Sequence, residues 1–300
     1  MLSLLRKKIK VAVHSGKFHP DDVCAVAILS LCLKRPIQVF RTRDPKVWAD
    51  MDYVFDVGGE YDPKVNIFDH HQEGWNMKRE NGITYSSAGL AWKHFGEQIT
   101  GSHDIAQKID EKIIQPIDAE DNGIELHKNN FEDVSAYTFG DYLFAFNPTW
   151  MEEKEDSLKG FMTAVHEAKK MFEREIKRAK DNITAIDFVK DIYEKTEDKR
   201  IIILDTDYSW RKTLMNYPEP LFVISPRPDN GTWAVATVDK LHGSKFERKM
   251  LFPESWAGKR DDEFAKITGV ADATFCHNGR FIAGARSKEG AIALAKLALK

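Results

Sequence analysis

Short apolar segments alternate with helix-like segments through the first half of the chain. Residues 10–14 have the continuous apolar pattern of a buried strand, and residues 21–34, rich in Ala, Ile and Leu, follow as a helix. Residues 37–41 and 53–56 are predicted to be further strands. Because a parallel strand pair needs a crossover connection, this alternation favours a parallel sheet covered by helices. We therefore predict an α/β fold.

The middle of the chain has a different pattern. Residues 151–200 are rich in both signs of charge, with apolar side chains every three or four positions, which predicts an amphipathic helix. A second alternating unit begins with the apolar run 201–204 and ends with a helix starting near Ser287. We predict a first domain at 1–150, a helical connector at 151–200 and a C-terminal domain at 201–300.

Composition limits the function classes. A formal net charge of −3 argues against a protein that binds duplex DNA over its whole surface. The longest apolar run, residues 23–33, is about half of the ~20 residues that a membrane-spanning helix needs. The three cysteines form no C-x-x-C pair, which argues against a disulfide framework or a zinc ribbon. We expect a cytoplasmic protein that does not bind membranes.

Polar clusters follow the predicted strands. His14, His19, Asp21 and Asp22 lie within nine residues after the first strand. In an open α/β sheet, ligands bind beyond the carboxyl ends of the strands, so this cluster could bind a metal. The alternative is that the two carboxylates only complement the positive end of the helix dipole.

Three further clusters add imidazoles and carboxylates but no thiolate. They are Asp56 before two glycines, the run Asp69-His70-His71, and an acidic segment holding Asp118 and Asp121. Individually these could be a turn residue, a surface histidine pair and a helix end. Together they favour Mn, Fe, Zn or Mg over a structural zinc. Two divalent ions bridged by a carboxylate would suit phosphoryl chemistry.

The order of these motifs is specific. They read His-x-Gly-x-Phe-His-x-Asp from residue 14, Arg-Thr-Arg-Asp at 41–44, Asp-Val-Gly-Gly-x-Tyr-Asp at 56–62, Asp-His-His-Gln at 69–72 and Asp-Ala-x-Asp-Asn-Gly at 118–123. This series resembles the melanocyte-proliferating-gene family, in or beside the DHH phosphoesterase superfamily with RecJ-type nucleases and manganese inorganic pyrophosphatases. The resemblance implies a DHH-type catalytic lobe followed by a smaller α/β substrate-binding lobe.

The resemblance also implies roles for individual residues. His71 would be the general acid or charge stabiliser, and Asp69 would orient a histidine. The wider superfamily has an aspartate where this chain has His19, which removes one negative charge. Asp121 stands in the same matching segment as Asp118, and both remain candidates. The implied metal ligands are His14, His19, Asp21, Asp56, His70 and Asp118.

The implied reaction is hydrolysis of single-stranded RNA from its 3′ end with two divalent ions, Mn²⁺ first and Mg²⁺, Fe²⁺ or Zn²⁺ as alternatives. Arg43 and the turn His277-Asn278-Gly279-Arg280 are candidates for phosphate binding. On spacing alone that turn could also be a plain hairpin. Competing functions are a phosphatase or hydrolase of small phosphorylated molecules or short oligonucleotides, and a metal-bound nucleotide or RNA-binding regulator with little turnover.

Overall fold

The computed structural model describes residues 8–152, 156–241 and 247–300. The chain divides between Ala179 and Lys180 into two compact units, each with its own five-stranded sheet. Both sheets are covered by helices, so the predicted α/β class is confirmed. Both sheets are mixed, however, and neither is purely parallel.

The sheet of the first unit has the strand order β2-β1-β3-β5-β4. Four of its strands run parallel to one another, and only β4, at one edge, is antiparallel. The strands are β1 (Ile9–Val13), β2 (Ile37–Arg41), β3 (Tyr53–Phe55), β4 (Tyr61–Asp62) and β5 (Ile67–Phe68).

The first unit buries one helix almost completely. Helix α1 is buried from Asp21 to Leu29, and its first two buried residues are carboxylates. A π-helical turn at Asp110–Ile114 joins α4 to α5. The helices of this unit are α1 (Pro20–Leu33), α2 (Pro45–Trp48), α3 (Ser87–Thr100), α4 (His103–Ile109), α5 (Gln115–Asp121) and α6 (Phe139–Phe144).

Helix α7 (Asp156–Lys195) is 40 residues long and contributes to both units. The amphipathic pattern predicted here is confirmed, because Phe161, Val165 and Phe172 are buried on one stripe. Farther along, Val189 packs with the core of the second unit. The roles proposed for the three predicted segments remain predictions.

The second unit is built mainly from hairpins. Its sheet has the order β6-β7-β8-β10-β9, and among these strands only β6 and β7 pair in parallel. Aromatic side chains such as Phe222, Phe252 and Trp256 fill its core. The elements are β6 (Ile201–Ile203), α8 (Arg211–Leu214), β7 (Phe222–Arg227), β8 (Thr232–Thr237), a 3-10 turn (Glu254–Trp256), α9 (Asp261–Thr268), β9 (Ala273–Cys276), β10 (Ile282–Ala285) and α10 (Lys288–Ala298).

Among the described residues, no helix combines the length and the apolar character needed to cross a bilayer.

Candidate metal centre

The polar clusters predicted at strand ends meet at one edge of the first sheet. His14 directly follows β1, Asp56 directly follows β3, and His70 lies two residues beyond β5. These three strands are parallel, so their carboxyl ends share that edge. Asp56 adopts a left-handed conformation with φ of 53°, which is unusual for a residue with a side chain but tolerated best by Asp and Asn. This conformation ends β3 and places the carboxylate in the cluster.

Asp56 is the centre of the cluster. Its Oδ2 lies 3.3 Å from Nε2 of His14, and its Oδ1 lies 3.2 Å from Nε2 of His70. Nδ1 of His71 is also 3.3 Å from Oδ1, and the Ser87 hydroxyl donates a hydrogen bond to the same oxygen at 3.3 Å. Histidine nitrogens therefore approach both oxygens of the Asp56 carboxylate.

A second carboxylate, Asp121, approaches from helix α5. Its Oδ2 is 3.3 Å from Nε2 of His70, and its Oδ1 is 3.9 Å from Nδ1 of His19. Oδ2 of Asp21 is 3.7 Å from the same His70 nitrogen. Three overlapping groups have ligand atoms within 4.8 Å of one another: His14 with His19 and Asp56, Asp56 with His70 and His71, and His19 with Asp21 and Asp121.

The structure does not bring Asp118 into these groups. Its buried carboxylate accepts hydrogen bonds from Arg79 at 2.6 Å, from the Ser86 hydroxyl at 2.5 Å and from the Gly89 amide at 2.9 Å. Burial raises its pKa to about 6, although Arg79 and Ser86 oppose that shift. Of the two candidates in this segment, Asp121 is therefore the one near the histidines.

The buried polar atoms of the cluster fit a cation. Asp21 and Asp22 are fully buried, and neither carboxylate oxygen of Asp21 has a hydrogen-bond partner. Oδ2 of Asp22 faces only an imidazole nitrogen, Nε2 of His14, at 3.2 Å. Burial, together with the charges of Asp56 and Asp121, raises the pKa of Asp21 well above its ordinary value. Unpaired buried carboxylates are costly, and a divalent ion would compensate them. The donor set of imidazole and carboxylate suits Mn, Fe, Zn or Mg.

Sequence reasoning did not single out two residues of this region. Asp22 is part of the first cluster, and its two oxygens fit both interpretations of that cluster, namely stabilisation of the helix start and metal binding. Its Oδ1 accepts the backbone N–H of His19 at 3.1 Å at the start of α1, while its Oδ2 lies 3.2 Å from Nε2 of His14. Ser87, the first residue of helix α3, is the second, because nothing in its spacing points to Asp56.

His71 and Asp69 form a pair at the exposed side of the cluster. Nδ1 of His71 lies 2.8 Å from Oδ1 of Asp69, whose other oxygen accepts the Gly59 amide at 2.7 Å. Burial would raise the pKa of Asp69, but its hydrogen bonds to His71 and Gly59 outweigh burial and lower it. The same bond to Asp69 raises the pKa of His71, whose side chain is 61% exposed. The pair thus presents at the surface an imidazole whose pKa is raised by its partner.

The predicted phosphate-binding residues fall in different units. Nη2 of the exposed Arg43 lies 3.2 Å from Nδ1 of His14, beside the cluster. The turn 277–280 connects β9 to β10 as a tight hairpin, in which Arg280 N–H donates to the His277 carbonyl at 2.8 Å. The Gly279 amide donates to Nδ1 of His277, so that amide already has a partner.

The N-terminus of α10 also has an internal partner. The carboxylate of Asp272 accepts hydrogen bonds from the amide of Ser287 at 2.7 Å and from its hydroxyl at 2.5 Å. A carboxylate of the protein thus already occupies this helix N-terminus. The role predicted for the turn at His277, Asn278, Gly279 and Arg280 remains a prediction.

Comparison with known proteins gives one consistent family. The family model MYG1_exonuc, described as an uncharacterised protein family (UPF0160), matches residues 10–299. An MYG1 protein of Schizosaccharomyces pombe is 30% identical over 97% of this chain and 97% of its own length. The human protein named MYG1 exonuclease is 28% identical over 97% of this chain and 85% of its own length. An MYG1 protein of Chlamydia muridarum is 30% identical over 97% of this chain and 96% of its own.

Proposed function

Because this chain belongs to the MYG1 family, and relatives in it are named exonucleases, we propose that it is a metal-dependent phosphodiesterase. Its substrate in this proposal is single-stranded RNA, shortened from the 3′ end. The observation that carries the proposal is Asp56, a buried carboxylate with histidine nitrogens 3.2–3.3 Å from its two oxygens. A buried carboxylate surrounded by histidines has few structural uses, whereas phosphoryl transfer with two metal ions requires one.

The residues that would hold the ions divide around Asp56. His14, His70 and the carboxylates of Asp21 and Asp121 lie within reach of the overlapping groups, and His19 belongs to two of them. Divalent ions bound there would lower the pKa of a water molecule and neutralise charge on the phosphate. We assign the ligand role in the acidic segment to Asp121, and to Asp118 the role of joining α5 to α3.

His71 would handle the proton of the leaving group. The hydrogen bond to Asp69 raises the pKa of its imidazole and so favours the protonated form, and its exposed ring can reach a ligand. A positioned acid of this kind donates a proton to the departing 3′ oxygen as the phosphorus–oxygen bond breaks. Asp69 fixes the orientation of the ring through the 2.8 Å contact at Nδ1, which leaves Nε2 as the nitrogen that faces the substrate.

Arg43 would bind a phosphate next to the reacting one. It is exposed, and its guanidinium lies beside His14, so its free N–H groups can donate to phosphate oxygens. In this proposal the protein prefers single-stranded RNA because the end of the strand must reach the buried cluster around Asp56. In this proposal the second unit binds the remainder of the strand.

The decisive experiment uses a 5′-labelled single-stranded oligoribonucleotide and Mn²⁺. We expect a ladder of products shortened from the 3′ end, and loss of the ladder in Asp56→Asn. Asn is the matched replacement because it tolerates the left-handed backbone that Asp56 adopts. No cleavage by the wild-type protein, or equal cleavage by the variant, would falsify the proposal. Comparing a dinucleotide, a ten-nucleotide strand and pyrophosphate separates an exonuclease from a small-molecule phosphatase.

A further inference from the structure

The side chain of Asn147 binds both backbone polar groups of Phe18, 129 residues earlier in the chain. Its Oδ1 accepts the Phe18 N–H at 2.9 Å, and its Nδ2 donates to the Phe18 carbonyl at 2.9 Å. The side-chain amide of Asn147 therefore pairs with the Phe18 backbone in the way that a neighbouring β-strand would. The loop in question, residues 14–19, carries two of the histidines of the metal centre.

The local sequence explains why Asn147 is available for this contact. Helix α6 ends just before it, and the Asn147 backbone N–H still donates to the Phe144 carbonyl at 3.0 Å. Pro148 follows, and a proline both lacks an N–H and forces the preceding residue out of helical geometry. The chain therefore leaves the helix at Asn147, whose Nδ2 donates to the Phe144 carbonyl at 3.0 Å as well as to Phe18.

Together with Asp22, Asn147 fixes a single peptide group. The carbonyl of the peptide between Phe18 and His19 is bound by Nδ2 of Asn147, and its N–H is bound by Oδ1 of Asp22 at 3.1 Å. A peptide group held at both ends cannot rotate about its neighbouring bonds. The direction in which His19 leaves the backbone is consequently set by these two side chains.

The Phe18 ring holds the loop at a third point. It is fully buried and packs edge-on against Phe161 of α7, with ring centroids 5.5 Å apart. The guanidinium of Arg41 lies 5.3 Å from each of these rings and donates to the Gly16 carbonyl at 2.7 Å. The loop is therefore anchored at Gly16 and at Phe18, between its two histidines.

His19 depends on this anchoring more than the other histidines do. Its side chain is 50% exposed, whereas the residues His14 and His70 are buried, so packing alone does not fix its ring. His19 nevertheless belongs to two of the three potential metal groups. We propose that Asn147 is a positioning residue that holds His19 in place for metal binding. This inference rests on the proposed function, since it assigns His19 to the metal centre.

The test is a metal titration of the full-length protein carrying Asn147→Asp. The carboxylate still accepts the Phe18 N–H, but it cannot donate to the Phe18 carbonyl and repels it. We expect calorimetry with Mn²⁺ to show one affinity weakened roughly 10- to 100-fold, the range typical for residues that orient a ligand. The other affinity should be unchanged. Asn81→Asp is the matched control, because Asn81 makes side-chain hydrogen bonds in an exposed turn outside the metal groups.

A double-mutant cycle separates positioning from general destabilisation. If Asn147 acts through His19, then Asn147→Asp adds less than a twofold loss of Mn²⁺ affinity in a His19→Ala background. Effects that multiply in the double variant, or an unchanged affinity in Asn147→Asp, overturn the inference. Should Asn147→Asp not fold, Asn147→Ser, which adds no charge, carries the same expectation.

The outcomes also distinguish this inference from the proposed function. If the wild-type protein binds Mn²⁺ but cleaves no RNA, the proposed exonuclease function is wrong. The role of Asn147 is then decided by the Mn²⁺ titration alone. Wild-type cleavage with an unchanged affinity in Asn147→Asp contradicts only the role of Asn147. A metal-free readout is the ring resonances of His19 in a nitrogen–proton correlation spectrum. These should shift in Asn147→Asp and stay in place in Asn81→Asp.

Discussion

Replacing Arg79 by Met should strongly destabilise the first unit. The guanidinium donates to Asp118 at 2.6 Å and to the two oxygens of Asp110 at 2.9 and 2.7 Å. The side chains of Arg79 and Asp118 are only 7% and 0% exposed. Met has a similar length but no donor, so the variant leaves a buried carboxylate without its cation. Breaking a buried pair in this way costs about 3–5 kcal/mol at neutral pH.

The pH dependence of this loss has a definite sign. The pKa of Asp118, about 6 in the folded protein, already lies above its unfolded value of 3.8 because of burial, and Arg79 opposes that shift. Removing Arg79 raises the folded pKa further. A carboxyl group whose pKa is higher in the folded than in the unfolded protein lowers stability at high pH, because there the folded protein must hold it ionised. Each added pKa unit costs about 1.4 kcal/mol at a pH above the folded pKa, and this cost is lost as the group becomes protonated.

Urea denaturation at pH 7 and pH 5 measures this difference. We expect a smaller loss of unfolding free energy at pH 5 than at pH 7. The double variant Arg79→Met with Asp118→Asn should recover much of the stability, because a neutral amide needs no cation, and it should still bind Mn²⁺. A loss below ~1 kcal/mol at pH 7, an equal loss at both pH values, or no recovery in the double variant would refute the reasoning.

Four further outcomes are expected. His71→Gln should lower kcat by about 10²- to 10⁴-fold with little change in KM. Because Asp69 raises the pKa of His71, wild-type activity should fall as the pH rises through that pKa, and Asp69→Asn should move the decline to lower pH in a pH–rate profile. Chelation of divalent metal should lower Tm by a few degrees, and Mn²⁺ at about 100 times its Kd should restore ~2.7 kcal/mol. Gly160→Ala should cost ~1–3 kcal/mol by urea denaturation although alanine favours helices, because the new methyl would lie 2.3 Å from the Phe146 carbonyl; an increase in stability would contradict this packing.

The place where the polar clusters meet could be predicted because it depends on a few local rules. Strand β1, helix α1 and strand β3 have clear patterns, and polar residues directly after parallel strands lie at one edge of the sheet. The strand ends brought His14, Asp56 and His70 into consideration, and the family resemblance implied their roles as ligands. The family resemblance was likewise readable from ordered motifs, and the comparisons confirm it.

Contacts between distant elements could not be predicted in the same way. Asp118 and Asp121 are three positions apart on one helix, so they lie on neighbouring parts of its surface and spacing does not choose between them. The choice depends on Arg79 and Ser86, which reach Asp118 from other elements. Nothing in the sequence around Asn147 indicates that its side chain contacts Phe18, 129 residues earlier.

The second sheet was also harder to anticipate. Alternation of strands and helices suggested an α/β unit, but strand direction depends on the connections. Only a short turn separates β7 from β8, and another separates β9 from β10. Connections this short can only join antiparallel neighbours. The sheet is therefore mixed, with the one parallel pair at β6 and β7.

The hydrogen bonds between Asn147 and Phe18 have a consequence for the order in which the protein matures. A ribosome delivers the chain from its N-terminus, so every strand of the first sheet leaves the exit tunnel well before residue 147 does. A nascent chain stopped before that point could pair its strands and bring Asp56 to their edge. Its loop at 14–19 would still lack its contacts to Asn147 and to Phe161. More than half of the polypeptide must therefore be synthesised before this loop has all of its contacts.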